Sequence, residues 1–207
     1  LIGLGGVTSS TAAHGLENAG LVRLMSGLIF PVGLMMVILM GTELFTGNAL
    51  MITAALDGKI TWARLLRNWG IVFAGNLVGA VALAACMAFF GQLNIGGGDL
   101  AVYTAKVAAS KNALPWANAF VLGIFCNIMV CIAVYQANTA QDTAGRILGI
   151  FFPIMGFVLA GFEHCVADMY YVPAGIFAYM NPAYTGLIDA AGINVALLNF
   201  GDFICAN

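Results

Sequence analysis

Apolar residues in this chain are gathered into long uncharged runs. Residues 24–41, 71–91 and 113–137 contain no Asp, Glu, Lys or Arg. About 18 or more such residues suffice to cross the hydrocarbon core of a bilayer as a helix. Residues 147–162 form a slightly shorter run that continues past the pair Glu163-His164. Residues 1–13 are apolar and rich in Gly, Ser and Thr, and read as the end of a helix that began earlier; with no initiating Met and no basic flank they do not read as a signal peptide.

Composition agrees with this grouping. The 207 residues are 62% hydrophobic and 8% charged, against about 25% charged in soluble domains. So few charges could not cover a soluble globule. The net charge of -2 comes with no basic cluster of the kind that binds nucleic acid. Cys86, Cys126, Cys131 and Cys165 sit in or beside apolar runs without a CxxC spacing, and read as small buried hydrophobes. Cys205 lies in the tail and carries no signal.

The spacers between runs are expected as loops: 14–22, 57–68, 92–112 and 138–146, followed by a tail at 181–207 without Lys or Arg. Lys59, Arg64, Arg67 and Arg146 fall on one side, and Arg23, Lys106 and Lys111 on the other, over longer loops. The denser basic side is expected in the cytoplasm, which puts loop 57–68 there.

Residues 41–48 read GTELFTGN and residues 161–168 read GFEHCVAD, an offset of 120. Upstream, LIFPVG (28–33) is echoed by IFFPIMG (150–156). Three spans separate the segments, so they cross in opposite directions, as in the inverted repeats of many transporters. The repeat halves are about 1–92 and 113–207. Each segment ends a long apolar helix and precedes a shorter apolar piece, 49–56 or 169–180. A helix break at membrane depth is expected in each, since irregular backbone survives there only inside protein or along a cavity. New half-helices are expected near Asn48 and Asp168, both good N-cap residues, with their positive ends favouring an anion. The bland alternative is a pair of kinked helices with satisfied caps.

Glu43 and Glu163 are intramembrane carboxylates. They either handle protons or cations, or accept hydrogen bonds that pin the breaks; the mirrored pair favours the structural role. His164 is the one His in an expected span and adjoins a break. It reads as a hydrogen-bond or proton donor to an anion, against the alternative of a satisfied core residue. His14, in a loop, receives no role. No metal site is expected, since His164, Cys165 and Asp168 are the only local ligand types. Lys111 is either a solvated loop charge or the anion-concentrating charge of a vestibule.

GTELFTGN, GNLVGA (75–80), LGIFCNIMVCIAV (122–134) and GFEHCVADM (161–169) occur in an order that resembles the formate/nitrite transporter family, over nearly the whole chain. The resemblance implies an all-α membrane protein: an aquaporin-like inverted repeat of six spans, with the second and fifth transmembrane helices broken. It implies a homopentamer in the plasma membrane of a prokaryote, each subunit one transmembrane channel domain over 1–207 with its own pore, no cofactor and no enzymatic activity. It assigns His164, Thr46, Asn127 and Lys111 to the substrate pathway. Leu44 and Phe45, with Val130, form one constriction; Phe30, Leu34 and Phe157 form the other. Glu43, Asn48, Glu163 and Asp168 support the breaks.

Two departures stand out. Asp168 replaces the family's common Asn, so a carboxylate here either favours a charged His164 or caps the half-helix as Asn would. The chain also stops where the sixth span is expected, and the first is short, which reads as truncation. The expected substrate is the small monovalent anion of a weak acid: formate, nitrite or hydrosulfide. Lys111 draws it in, His164 gives a hydrogen bond or proton, and the apolar rings pass the less charged species. Two further readings stay open. An obligatory proton-coupled symporter would use the same path. An aquaporin-like channel would need two NPA motifs; Asn181-Pro182-Ala183 is one, but the repeat places Thr61-Trp62-Ala63 opposite it.

Overall fold

The computed structural model describes residues 1–206, with side chains as far as Phe203; the Cys205 side chain and Asn207 lie outside the described residues. Among the described residues all regular structure is helical. Among the described residues four stretches are long and apolar enough to span a membrane: Ala19–Leu39, Trp62–Phe89, Trp116–Thr139 and Thr143–Ala160. The first joins α2 (Ala19–Ile29) to α3 (Pro31–Leu39) end to end, after α1 (Ile2–Ala13). The short α4 (Met51–Leu56) precedes α5 (Trp62–Phe89). Then follow α6 (Asp99–Asn112), α7 (Trp116–Thr139), α8 (Thr143–Ala160), α9 (Cys165–Met180), α10 (Pro182–Ala190) and α11 (Phe200–Ala206).

Capping chemistry sets several starts. Asn18 Oδ1 accepts from Gly20 N at 2.9 Å and Leu21 N at 3.1 Å, opening α2 five residues before the uncharged run begins. Thr61 Oγ1 accepts from Arg64 N at 3.3 Å and opens α5, so most of the expected loop 57–68 is helix. Asp142 Oδ1 accepts from Gly145 N at 2.6 Å ahead of α8. Each such bond satisfies an otherwise orphaned N–H of a first turn.

The expected loop 92–112 is a larger correction. After a 3₁₀ turn it holds α6, whose Leu100, Ala101, Ala105 and Ala108 are fully buried. Its two lysines and modest hydropathy mask it, yet Ala101, Ala105 and Ala108 mark one helical face. That face packs against α9. A side chain at Gly175 of α9 would meet the Ala108 methyl, and would lie 3.0 Å from Thr104 O. In lipid there is little hydrophobic drive between helices, so close approach through small residues carries such contacts.

The tail is corrected too, since it contains α10 and α11. Asn181 of the NPA sequence caps α10, accepting from Ala183 N at 3.0 Å, and its Nδ2 donates to Ala88 O at 2.9 Å. Pro182 occupies the first helical turn, where its missing N–H costs nothing.

The central element is α9, covered by α1, α5 and α6, with Met169, Tyr170, Val172 and Ala174 almost inaccessible. By contrast Ile71, Val78, Phe120 and Phe152 are more than half exposed on the outer helices. These apolar outer faces suit lipid or further copies of the chain.

Candidate functional site

Two interruptions face each other across the interior. The first follows α3. Gly41 takes the left-handed conformation (φ 68), and Thr42 N returns to Val37 O at 2.9 Å. Residues 42–46 are irregular before a 3₁₀ turn, Gly47–Leu50, leads into α4. Helix α5 holds this segment through polar side chains. Asn76 Nδ2 donates to Glu43 O at 3.2 Å, while its Oδ1 accepts from Phe45 N at 3.0 Å. Glu43 Oε2 accepts from Asn48 Nδ2 at 2.9 Å and Asn68 Nδ2 at 3.0 Å. Trp69 Nε1 donates to Asn48 O at 2.9 Å. Asn48 is therefore a cross-link inside the 3₁₀ turn and not its N-cap, which is Thr46.

The second interruption follows α8. Gly161 caps the helix in the left-handed conformation (φ 73), a C-terminal position that favours glycine. Arg23 Nη1 donates to Leu159 O at 3.3 Å, so a cation serves the carbonyl end of α8. The N-cap of α9 is His164 and not Asp168: the Nδ1 of His164 accepts from Ala167 N at 3.0 Å. Asp168 lies one turn inside, buried, with its Oδ1 3.2 Å from Lys111 Nζ. Lys111 Nζ also donates to Glu163 Oε2. The two glutamates thus have different partners, amides for Glu43 and an ammonium for Glu163.

His164 joins the interruptions. Because Nδ1 accepts from a backbone N–H, it carries no proton, and the neutral ring has its hydrogen on Nε2. That Nε2–H donates to Thr46 Oγ1 at 3.1 Å. The Thr46 hydroxyl hydrogen is left free for another acceptor. The imidazole stacks on Phe157 at 5.8 Å, and Phe157 meets Phe30 edge-on at 5.7 Å. Both ring nitrogens are engaged, so the lone pair a metal would need is already in use.

Two cavities converge here, of about 990 and about 270 Å³. Both are bordered by Lys111, Glu163, His164 and Asp168. Phe45, Thr46 and Asn127 line only the larger; Phe30, Phe157 and Arg23 line only the smaller. The Oδ1 of Asn127 is buried without a partner and borders the larger space.

The matching family model is that of the formate/nitrite transporters, and it covers residues 1–207. The chain belongs to the formate/nitrite transporter family. It is accordingly a multi-pass membrane transport protein. It is 37% identical over 202 residues to the formate channel FocA of Haemophilus influenzae, covering 97% of this chain and 71% of that one. It is 41% identical over 226 residues to a probable formate transporter of Methanothermobacter thermautotrophicus, covering 95% and 82%. A solved pentameric formate channel with formate bound superposes with a TM-score of 0.90 at 34% identity, covering 100% of this chain and 82% of the other. An FNT family ion channel gives a TM-score of 0.75 at 28% identity, covering 99% and 80%.

Within this transporter fold, Thr46, Lys111, Asn127 and His164 border one cavity. The apolar set divides. Phe30 and Phe157 form a stack on His164, and Phe45 packs instead on Trp69 at 6.4 Å and Phe73 at 5.2 Å of α5. Leu34, Leu44 and Val130 are buried in the shared core and border neither cavity. Sequence reasoning missed Asn68, Trp69 and Asn76 as the clamp of the first interruption. Asn68 and Asn76, eight residues apart on one helix, with Asn76 inside its uncharged apolar run, were the available signal.

Proposed function

We propose that this chain is a channel for a small monovalent anion of a weak acid, with formate the first candidate. The observation that carries this reading is the convergence of two cavities on His164, with Thr46 bridging the interruptions. The relatives named as formate channels and transporters support the choice of anion.

In this reading the larger cavity admits the anion toward Lys111, and Asn127 and the free Thr46 hydroxyl hydrogen offer polar contacts. The neutral imidazole fixes the Thr46 rotor. The Phe30–Phe157 pair makes the dry exit. A bare ion crossing it loses several kcal/mol of hydration, so contacts that spread or neutralise its charge speed passage. Import against a membrane potential costs about 2.3 kcal/mol per 100 mV, which an accompanying proton cancels. Nothing in this scheme needs covalent chemistry, so the protein acts as a conduit and not an enzyme.

The protein assembles as a homopentamer in the plasma membrane of a prokaryote, with loop 57–68 in the cytoplasm. Its exposed apolar outer helices, the pentameric solved neighbour, the bacterial and archaeal relatives and the basic residues Lys59, Arg64 and Arg67 support this arrangement. The test is flux into liposomes carrying the purified protein. Formate entry without glycerol entry is expected; glycerol entry without anion entry would replace this reading with a neutral-solute channel.

A further inference from the structure

One buried cation faces two carboxylates at the meeting point of the cavities. Lys111 Nζ pairs with Glu163 Oε2 and lies 3.2 Å from Asp168 Oδ1. The lysine, glutamate and aspartate side chains are only 20%, 14% and 10% exposed. Asp168 Oδ1, though close to the ammonium, is buried and lacks a hydrogen-bonded partner. The Glu163 and Asp168 carboxyl groups thus converge on the same ammonium. Ionised carboxylates are acceptors only, so two drawn to one ammonium repel each other unless a proton is taken up between them.

Among the described residues no second cation pairs with either carboxylate. The ionisable groups that line the two cavities with Asp168, besides Lys111 of α6 and Glu163 of the interruption, include Cys126 of α7 and Cys165 and Tyr171 of α9. His164 is held neutral by its bond from Ala167 N. Arg23, on the rim of the smaller cavity, donates to Leu159 O. With both acids ionised, the cluster would carry a net negative charge beside the path of an anion, in a medium that screens poorly.

We propose that Glu163 and Asp168 share one proton, so that the Lys111–Glu163–Asp168 cluster is electrically neutral and Asp168 ties anion passage to pH. This rests on the channel reading above. The proton satisfies both carboxyl groups and leaves the ammonium balanced by the single remaining charge. Losing it exposes an uncompensated carboxylate to the incoming anion, and flux falls. The amide in Asp168→Asn would donate permanently to Glu163, standing in for the proton and removing the dependence.

The experiment compares formate flux of wild type and D168N in liposomes, with equal pH on both sides, from about pH 5 to pH 9. Taking the ratio cancels the speciation of formate itself. The D168N to wild-type ratio should rise with pH, by about tenfold per unit once the shared proton is lost. A ratio constant across the range would overturn the inference. Wild type without formate flux at any pH would instead sink the channel reading. An infrared measurement tests the proton without flux and without D168N: wild type at neutral pH should show a protonated-carboxyl band that E163Q lacks. A wild-type spectrum with no such band would overturn the proposal.

Discussion

Thr46 Oγ1 lies 3.1 Å from His164 Nε2, a bond between two helix interruptions 118 residues apart in the chain. Its direction follows from a third residue. Ala167 N–H occupies Nδ1, so the proton sits on Nε2 and Thr46 is the acceptor. The bond therefore fixes the spacing of the interruptions and aims the Thr46 hydroxyl at whatever passes.

Thr46→Val keeps the volume and removes the acceptor. A buried Nε2–H left without a partner costs about 1–3 kcal/mol. Thermal unfolding of T46V in detergent should shift downward, and formate flux should fall with it. Thr46→Ser restores both the acceptor and a free hydroxyl hydrogen, and should recover most of the flux. Equal flux in T46V and T46S would remove Thr46 from the pathway.

His164 has a capping duty and a Thr46-directed duty that substitution can separate. Asn is a strong N-cap and can replace Nδ1 toward Ala167 N–H, but its shorter side chain cannot also reach Thr46. His164→Asn should retain most of the stability and lose flux. His164→Ala should lose flux and, in addition, about 0.5–2 kcal/mol of capping free energy. Parallel melting curves and flux assays distinguish the cases. If H164N transports like wild type, the histidine is a structural cap alone.

The four membrane-length helices were legible because three carry an uncharged apolar run long enough to identify them alone and the fourth, Thr143–Ala160, carries one only slightly shorter. The segments around GTELFTGN and GFEHCVAD were legible because Gly, Glu and a polar end recur in otherwise apolar sequence. What could not be read is tertiary in origin. Helix α6 looks like a loop because Lys106 and Lys111 interrupt it, and its Ala face gains meaning only when Gly175 of α9 lies against it. Asn48 and Asp168 have the chemistry of N-caps, yet the N-cap positions are held by Thr46, whose side chain makes no capping bond, and by His164, whose Nδ1 does. The backbone geometry of each interruption, and not side-chain capping preference, decided where the next helix begins. Nor does the sequence reveal that Glu43 is met by amides and Glu163 by an ammonium, since Asn68 comes from α5 and Lys111 from α6.

Asn76 gives both its donor and its acceptor to the backbone of the first interruption, at Glu43 O and Phe45 N. Asn76→Ala removes two hydrogen bonds, worth together about 1–3 kcal/mol. The freed segment carries Leu44, Phe45 and Thr46, so disorder there should reach the site. Hydrogen exchange of the Phe45 amide should accelerate in N76A while amides of α9 stay protected. Unchanged exchange at Phe45 would mean that Glu43, Asn48 and Trp69 hold the segment unaided.

Gly175 sets how closely α9 and α6 approach, and Lys111 stands one turn beyond Ala108 on α6. A methyl at position 175 would overlap the Ala108 methyl and press on Thr104 O at 3.0 Å. Gly175→Ala should therefore cost about 1–3 kcal/mol by overpacking. It should also push Lys111 away from Glu163 and Asp168, lowering flux beyond what reduced folding explains. Ala108→Gly opens space on the opposite wall, at the expense of about 1 kcal/mol of helix propensity. The double variant should be more stable than the sum of the two single changes, with a coupling of at least about 0.5 kcal/mol, and its flux should recover in step. Full recovery is not expected, because Thr104 O and Ala105 Cα, at 3.0 and 3.2 Å from the added carbon, remain. Strict additivity would show that the two helices do not meet at this pair, and that another contact positions Lys111.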